Sequence, residues 1–300
     1  MSSKYILGVA VAVLCGVINN AGVLLQKKVV NDIPAADRDR RFFLTLVKNP
    51  LWLLGFFLQF MLGAVVFIIA QSLIGPALVP GLMASGLIVL ALGSVWLIGE
   101  TLNQSEYVGI FLMIGGTLLL GLSKLEIGLT AVRDSLAAQA TLLRIGAFTL
   151  GLCLLWGLSH LASLSSRKRK GIVMGFSNGF PFALSNFWVS PLTALIGTVL
   201  AGKGNAGQVA LFALASVILV GANLLGIRQN QESFKFGQAS NIIPVQQISV
   251  QIAPVLVYFF VYFLTPPSRL SALLIVLGAA LIIAAGFLLG RRQSELEKIH

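Results

Sequence analysis

The sequence predicts an all-α membrane protein, a polytopic bundle of about nine transmembrane helices. Charged residues make up 10% of its 300 residues and hydrophobic residues 57%, with a mean hydropathy of +0.93. A typical soluble domain is about 25% charged, so this chain cannot cover a soluble surface. The charges are also clustered, and they leave apolar stretches of about 20 residues, the length with which a helix crosses roughly 30 Å of hydrocarbon.

Taken in order, the apolar stretches predict nine helices. The first contains Asn19 and Asn20 and lacks a small-residue cleavage site, so we expect a retained helix and not a signal peptide. The sixth contains Pro181 and Pro191, which allow one kinked helix or two short spans. The predicted helices are 5–26, 50–70, 77–99, 105–123, 143–164, 171–200, 206–227, 239–263 and 270–290.

The positions of the basic residues favour nine helices over ten. With nine spans and a cytoplasmic C-terminus, 15 of the 21 Lys and Arg residues fall inside and 6 outside, as the positive-inside rule requires. Splitting the sixth helix would put one basic cluster on the wrong side. We therefore expect a multi-pass cell-membrane protein with its N-terminus outside, whose net charge of +11 reflects orientation and not nucleic-acid binding. The polar stretch 127–142 is predicted to be an outside loop or an interfacial helix.

Two pairs of helices carry the same pattern of proline and glycine. Gly115 follows Pro80 by 35 residues, and Gly278 follows Pro244 by 34. The corresponding helices lie five spans apart, so the copies would cross the membrane in opposite directions, as in the inverted repeats of secondary transporters. The alternative is a chance match between leucine-rich spans. The predicted division is a first repeat of four helices, a connecting loop and a second repeat of five helices, at 1–125, 126–142 and 143–300.

Several segments also carry a family pattern. They are Asn49-Pro-Leu-Trp-Leu-Leu-Gly55, Gly75-Pro-Ala-Leu-Val-Pro80, Trp96-Leu-Ile-Gly-Glu100 and Gly109-Ile-Phe-Leu-Met-Ile-Gly-Gly116. Together they resemble the drug/metabolite transporter superfamily, whose repeated EamA-like unit ends in such a Gly-Glu pair followed by a glycine-rich helix. The nine-helix count and Leu25-Gln-Lys-Lys28 are similar to the NIPA-like magnesium transporters of that superfamily. The resemblance implies a transporter with an inverted-repeat fold.

One stretch departs from the NIPA-like pattern, which has a Glu and an Asn midway along the second helix. The corresponding stretch, 59–70, has no carboxylate, and no acid lies deep in any predicted span. Mg²⁺ favours oxygen ligands, usually with at least one carboxylate. The leading hypothesis is therefore a secondary transporter or facilitator of a small polar metabolite. Magnesium or divalent-cation transport is the alternative, and a non-transporting membrane scaffold is the alternative from another class.

Neutral polar side chains within the predicted helices are the candidate substrate contacts, because polar groups in hydrocarbon are costly unless they face protein or a water-filled cavity. They recognise a solute by hydrogen bonding, which suits a polar organic metabolite better than a bare ion. For each residue, hydrogen bonding between helices is the alternative role. The predicted substrate-binding residues are Asn19, Gln59, Asn178, Asn186, Gln247, Gln251 and Tyr258.

Two titratable residues, Glu100 and His160, are candidates for coupling transport to an ion, and a structural role is the alternative for each. Cys15 and Cys153 each stand alone in apolar stretches, which indicates neither a disulfide nor a metal site. Nucleotide-binding, zinc-protease and hydrolase motifs are absent from the sequence. We therefore expect no enzyme activity and no cofactor. The expected partners are a small-molecule or ion substrate and the lipid bilayer, with no nucleic acid; a homodimer is also compatible.

Overall fold

The computed structural model describes residues 3–34, 42–74, 79–123, 129–165 and 170–296. Every regular element in these ranges is a helix, and eight of the helices are long and apolar enough to cross a membrane. Large apolar side chains are exposed along them, as on a surface that faces lipid. The protein is therefore a multi-pass helical membrane protein.

The described part of the chain contains thirteen α-helices and three π-helical segments. Each π segment directly continues an α-helix. The α-helices are α1 Ser3–Asp32, α2 Phe42–Val47, α3 Pro50–Phe56, α4 Gly63–Ile74, α5 Val79–Met83, α6 Gly86–Gly93, α7 Gln104–Leu122, α8 Leu129–Ser135, α9 Gln139–Ser165, α10 Lys170–Leu200, α11 Ala206–Ser233, α12 Ala239–Leu256 and α13 Arg269–Leu296. The π segments are Phe57–Leu62, Ser94–Ile98 and Val257–Val261.

The predicted third helix is not continuous. Helix α5 stops at Met83, and α6 starts after a turn in which the Ser85 hydroxyl donates to the carbonyl of Leu82 at 2.6 Å. A hydroxyl that bonds a helix carbonyl competes with the backbone amide and favours such a break. The described chain thus has eight long spans and one shorter apolar segment, Gly86–Ile98, where the sequence predicts nine helices. Positions 77 and 78 of that prediction lie outside the described residues.

The sixth predicted segment is a single helix. Helix α10 runs without interruption from Lys170 to Leu200 with Pro181 and Pro191 inside it. The predicted loop or interfacial stretch 127–142 contains the short helix α8 and the start of α9, and its first two residues lie outside the described residues.

Two spans end with the same unusual backbone geometry. After the segment Ser94–Ile98, Gly99 has φ 77° and the amide of Glu100 donates to the carbonyl of Ser94 at 2.9 Å. After Val257–Val261, Phe263 has φ 52° and the amide of Leu264 donates to the carbonyl of Tyr258 at 3.1 Å. Each residue of the second ending lies 164 positions after its counterpart in the first. A positive φ costs a phenylalanine more than a glycine, so the shared geometry does not follow from shared residue type.

A close contact between helices also occurs twice. A side chain at Gly16 of α1 would collide with the carbonyl of Met83, and one at Gly179 of α10 would collide with the carbonyl of Gln246 in α12. Both residues of the second contact lie 163 positions after those of the first. Glycine allows the two backbones to touch at each place. Helix α1 therefore meets α5 in the same way that α10 meets α12.

Helices α7 and α13 pack against each other in opposite directions. A Cβ atom at Gly116 would lie 2.7 Å from the carbonyl oxygen of Gly278, and one at Gly278 would lie 2.8 Å from that of Gly116. Towards the start of α7, Gly109 faces Leu289, further along α13. Higher numbers on one helix thus meet lower numbers on the other, as in an antiparallel pair.

One apolar cluster joins the two halves, and two further clusters each belong to one half. The end at which α1 ends and α10 and α12 begin carries many Lys and Arg residues, and we call it the basic end. One cluster there joins residues from both halves, such as Val30 and Phe42 with Phe234 and Ile242. Towards the opposite end, one cluster contains only residues before 84 and a second only residues after 131. The halves are therefore joined at the basic end and along α7 and α13, while the clusters on either side of the cavity's opposite end are separate.

Candidate solute-binding cavity

A cavity of about 510 Å³ lies between the two halves. Helices α1, α7, α10 and α12 contribute to its wall, together with the π segment of the second span. None of the described side chains that line it is charged. Its polar lining residues are Asn19, Asn20, Gln59, Thr117, Asn186, Ser190, Gln246, Gln247 and Gln251.

Helix α12 supplies the longest polar strip of the wall. Gln247, Gln251 and Pro254 follow at intervals of four and three residues, which places them on one helix face. Pro254 has no amide hydrogen to donate to the carbonyl of Val250, which also lines the cavity. A backbone carbonyl without its usual helix partner adds an acceptor to this face.

Four of the cavity amides form no side-chain hydrogen bond within the described chain. They belong to Asn19, Asn186, Gln247 and Gln251, all partly or fully exposed to the cavity. A side-chain amide offers two donors and two acceptor positions. Polar groups deep in a bilayer protein normally find partners, because an unpaired group there is costly. These four amides are therefore free to bind water or a solute.

Gln59 and Gln246, in contrast, are held by other side chains. Gln59 Oε1 accepts a hydrogen bond from Gln26 Nε2 at 2.7 Å. Gln246 Oε1 lies 3.3 Å from Asn178 Nδ2, which also lies 3.0 Å from Asn230 Oδ1. Turning over the Asn178 amide lets its nitrogen donate to the carbonyl of Gly226 at 2.7 Å. Gln59 and Gln246 each line the cavity and are hydrogen bonded to polar side chains that are buried behind them.

The structure brings five of the seven predicted substrate-binding residues to one cavity, namely Asn19, Gln59, Asn186, Gln247 and Gln251. The other two lie elsewhere. Asn178 is completely buried behind Gln246, and the Tyr258 hydroxyl donates to the carbonyl of Thr265 at 2.7 Å, beyond the end of its helix.

Sequence reasoning missed four polar lining residues. Asn20 and Gln246 are chain neighbours of the predicted Asn19 and Gln247, so pairs of adjacent amides were the available signal. Thr117 and Ser190 gave no such signal, because single hydroxyls within apolar helices are common. The Thr117 hydroxyl donates to the carbonyl of Met113, one turn earlier, at 2.8 Å.

Glu100, a candidate for ion coupling, lies at the basic end and not in the cavity. Its carboxylate accepts hydrogen bonds from the amides of Ala239 and Ser240 at 2.8 and 3.3 Å, and from the Ser240 hydroxyl at 2.8 Å. A carboxylate at the start of a helix meets unpaired amides and the positive end of the helix dipole. Glu100 thereby fastens the end of the third span to the start of α12.

His160, the second coupling candidate, lies on α9 and is also remote from the cavity lining. Its Nδ1 lies 3.2 Å from Gln229 Nε2, and its ring stacks on Trp156. The Trp156 indole donates to Gln229 Oε1 at 3.0 Å. These contacts join α9 to α11.

Two more buried charges close the basic end. Lys27 is 4% exposed, and its ammonium donates to the carbonyls of Phe234 and Gly237 at 2.6 and 2.7 Å. Glu106 belongs to a capping box with Asn103 and accepts a hydrogen bond from Asn241 Nδ2 at 2.7 Å. We call these contacts, together with those of Glu100, the basic-end closure. On α1 and α12 its residues lie next to the lining residues, on the side of the basic end.

Among the described residues, no group of three or more His, Cys, Asp or Glu side chains could hold a metal ion. Comparisons of the chain with protein-family models, with curated proteins and with solved structures find no match.

Proposed function

We propose that this protein is a secondary transporter or facilitator that carries a small, uncharged polar solute across the membrane. The observation that carries this proposal is the set of four amides that line the cavity and form no side-chain hydrogen bond with the described residues, Asn19, Asn186, Gln247 and Gln251. A cavity of about 510 Å³ falls within the range of small-molecule sites, roughly 300 to 1,000 Å³.

The lining favours an uncharged solute. A charged solute that leaves water loses much of its hydration energy, and a site compensates for this with an opposite charge or a metal. Among the residues that the structure describes, the polar side chains of the lining are all amides or hydroxyls. Sugars, polyols and neutral amides carry both donors and acceptors, which match such a lining.

The internal repetition supports a transport role. Endings at Gly99 and Phe263, and glycine contacts at Gly16 and Gly179, recur at nearly constant spacing. Because α7 and α13 are antiparallel, these observations fit two inverted repeats of the drug/metabolite transporter type. In such a protein a central site is exposed to each side of the membrane in turn.

The arrangement of the two halves also indicates to which side of the membrane the cavity is open in this conformation. The basic-end closure lies on one side of the cavity lining, and on the opposite side a cluster of residues before 84 is separate from a cluster of residues after 131. We propose that the basic end is cytoplasmic, because Lys and Arg are retained on that side. The conformation described here would then be the one that receives solute from outside.

Uptake into proteoliposomes tests the proposal. Purified protein is reconstituted and offered labelled sugars, polyols, neutral amides, amino acids and organic anions, with entrapped indicator for Mg²⁺. The proposal expects uptake of at least one uncharged solute and no preference for anions. Mg²⁺ flux without solute uptake would favour the cation alternative, and no flux of any kind would favour the scaffold.

A further inference from the structure

A series of side-chain hydrogen bonds leads from the cavity to the basic end. Trp52 Nε1 donates to Gln231 Oε1 at 3.1 Å, and Gln231 Nε2 donates to Gln26 Oε1 at 2.6 Å. Gln26 Nε2 then donates to Gln59 Oε1 at 2.7 Å. All three donors point the same way, and hydrogen bonds in such a series strengthen one another. We call these four residues the amide chain.

Only Gln59 of the amide chain lines the cavity. Gln26 and Gln231 are each 1% exposed. Their position depends on close packing of the first two spans, where Gly22 and Gly55 each face the carbonyl of the other across the helix contact. The amide chain is therefore a buried connection with one accessible end.

The other end of the amide chain is part of the closed basic end. Gln231 lies in the last turn of α11, three residues before Phe234. Gln26 is followed by Lys27, whose ammonium holds the carbonyls of Phe234 and Gly237. The same turn of α1 thus contacts the end of α11 in two ways. Gln26 bonds to Gln231 in the amide chain, and Lys27 bonds to the carbonyl of Phe234 in the basic-end closure.

We propose that Gln26 and Gln231 are positioning residues that couple Gln59 in the cavity to the basic-end closure, an inference that rests on the proposed function. A solute that bonds to Gln59 and turns its Oε1 away from Gln26 Nε2 breaks the last hydrogen bond of the amide chain. A buried donor that loses its acceptor is costly, so the amide chain rearranges and the end of α11 loses one of its two attachments to this turn of α1. Solute binding thereby shifts the population towards the state that is open at the basic end.

Cysteine accessibility tests this coupling without a known solute. Val250, which lines the cavity, is replaced by cysteine in a protein that also carries Cys15→Ala and Cys153→Ala. Membrane vesicles of the two orientations present either the basic end or the opposite end to a membrane-impermeant thiol reagent. In the parent protein we expect rapid labelling from the opposite end and slow labelling from the basic end.

Gln59→Met and Gln231→Met each break the amide chain while keeping side-chain length. Each is expected to raise the labelling rate from the basic end about tenfold, the population shift that follows from one lost buried hydrogen bond. The double variant should label within about twofold of either single variant, because both changes break one connected series. The matched control is Gln229→Met, which removes an amide of α11 that lies outside both the series and the cavity lining and should leave the rate unchanged.

Two results would overturn the coupling. One is a labelling rate in the double variant equal to the product of the two single effects, and the other is an equal increase in Gln229→Met. If Gln231→Met folds poorly, Trp52→Phe replaces it in the labelling experiment. This change removes the first donor of the amide chain and keeps an aromatic ring that stacks on Phe56. A failure of the proposed transport function would be seen in uptake and would leave these labelling rates interpretable.

Discussion

The carboxylate of Glu100 accepts a hydrogen bond from the Ser240 hydroxyl at 2.8 Å, although the two residues are 140 positions apart in the chain. The contact joins the end of the third span to the start of α12, whose face supplies Gln247 and Gln251 to the cavity. The position of the cavity wall therefore depends on a buried charge at the basic end.

Removing the Glu100 carboxylate should destabilise the protein. Glu100→Gln keeps an acceptor but loses the charge beside the helix dipole, for an expected loss of about 1 kcal/mol in the free energy of unfolding. Glu100→Ala leaves the amides of Ala239 and Ser240 without an acceptor, and we expect a loss of about 2 to 4 kcal/mol. Unfolding of the wild-type protein and the two variants in the same detergent measures both losses of stability. Glu232→Gln is the control, and an equal loss there would contradict the capping role.

Lys27 should stabilise the closed basic end through its two carbonyl contacts. Hydrogen bonds from a charged donor contribute roughly 1.5 to 3 kcal/mol, so Lys27→Met should lower the unfolding temperature and speed hydrogen exchange of residues 234–241. The neighbouring Lys28→Met is the matched control. Unchanged exchange in Lys27→Met would show that the carbonyl contacts do not hold this segment.

The recurring glycine contacts predict a matched pair of variants. Gly16→Ala and Gly179→Ala each place a methyl group against a backbone carbonyl and should each cost about 1 to 3 kcal/mol of unfolding free energy. Gly197→Ala meets open space within its helix and should be neutral or stabilising by up to about 1 kcal/mol. Thermal unfolding of the three variants and the wild-type protein in one detergent measures these differences in stability. A tolerated Gly16→Ala together with a damaging Gly179→Ala would argue against equivalent packing in the two halves.

The helical membrane fold could be predicted from the sequence, because charge content and apolar run length depend on composition alone. The break near Ser85 could not, since the third segment is as apolar as its neighbours and the break depends on a local hydroxyl contact. The candidate cavity could be predicted in part. Asn19, Gln247 and Gln251 face inwards because helical spacing sets their direction.

Long-range partners could not be predicted. The partners of Glu100 are the backbone amides at the start of α12, 139 and 140 positions away in the chain. Gln26 and Gln231 bond each other across 205 positions, and neither was selected as a candidate site residue. Helical periodicity gives the face on which a residue lies, but it does not give the element that packs there.

The central claim is that the unpaired amides of the cavity bind a transported solute, and Gln251→Leu tests it most directly. Uptake of a solute carried by the wild-type protein is compared in proteoliposomes containing equal amounts of wild-type and Gln251→Leu protein with matched unfolding temperatures. We expect uptake by the variant to fall to background, because leucine removes both the donor and the acceptor from the cavity wall. Wild-type uptake by Gln251→Leu would contradict the assignment of this cavity as the solute site.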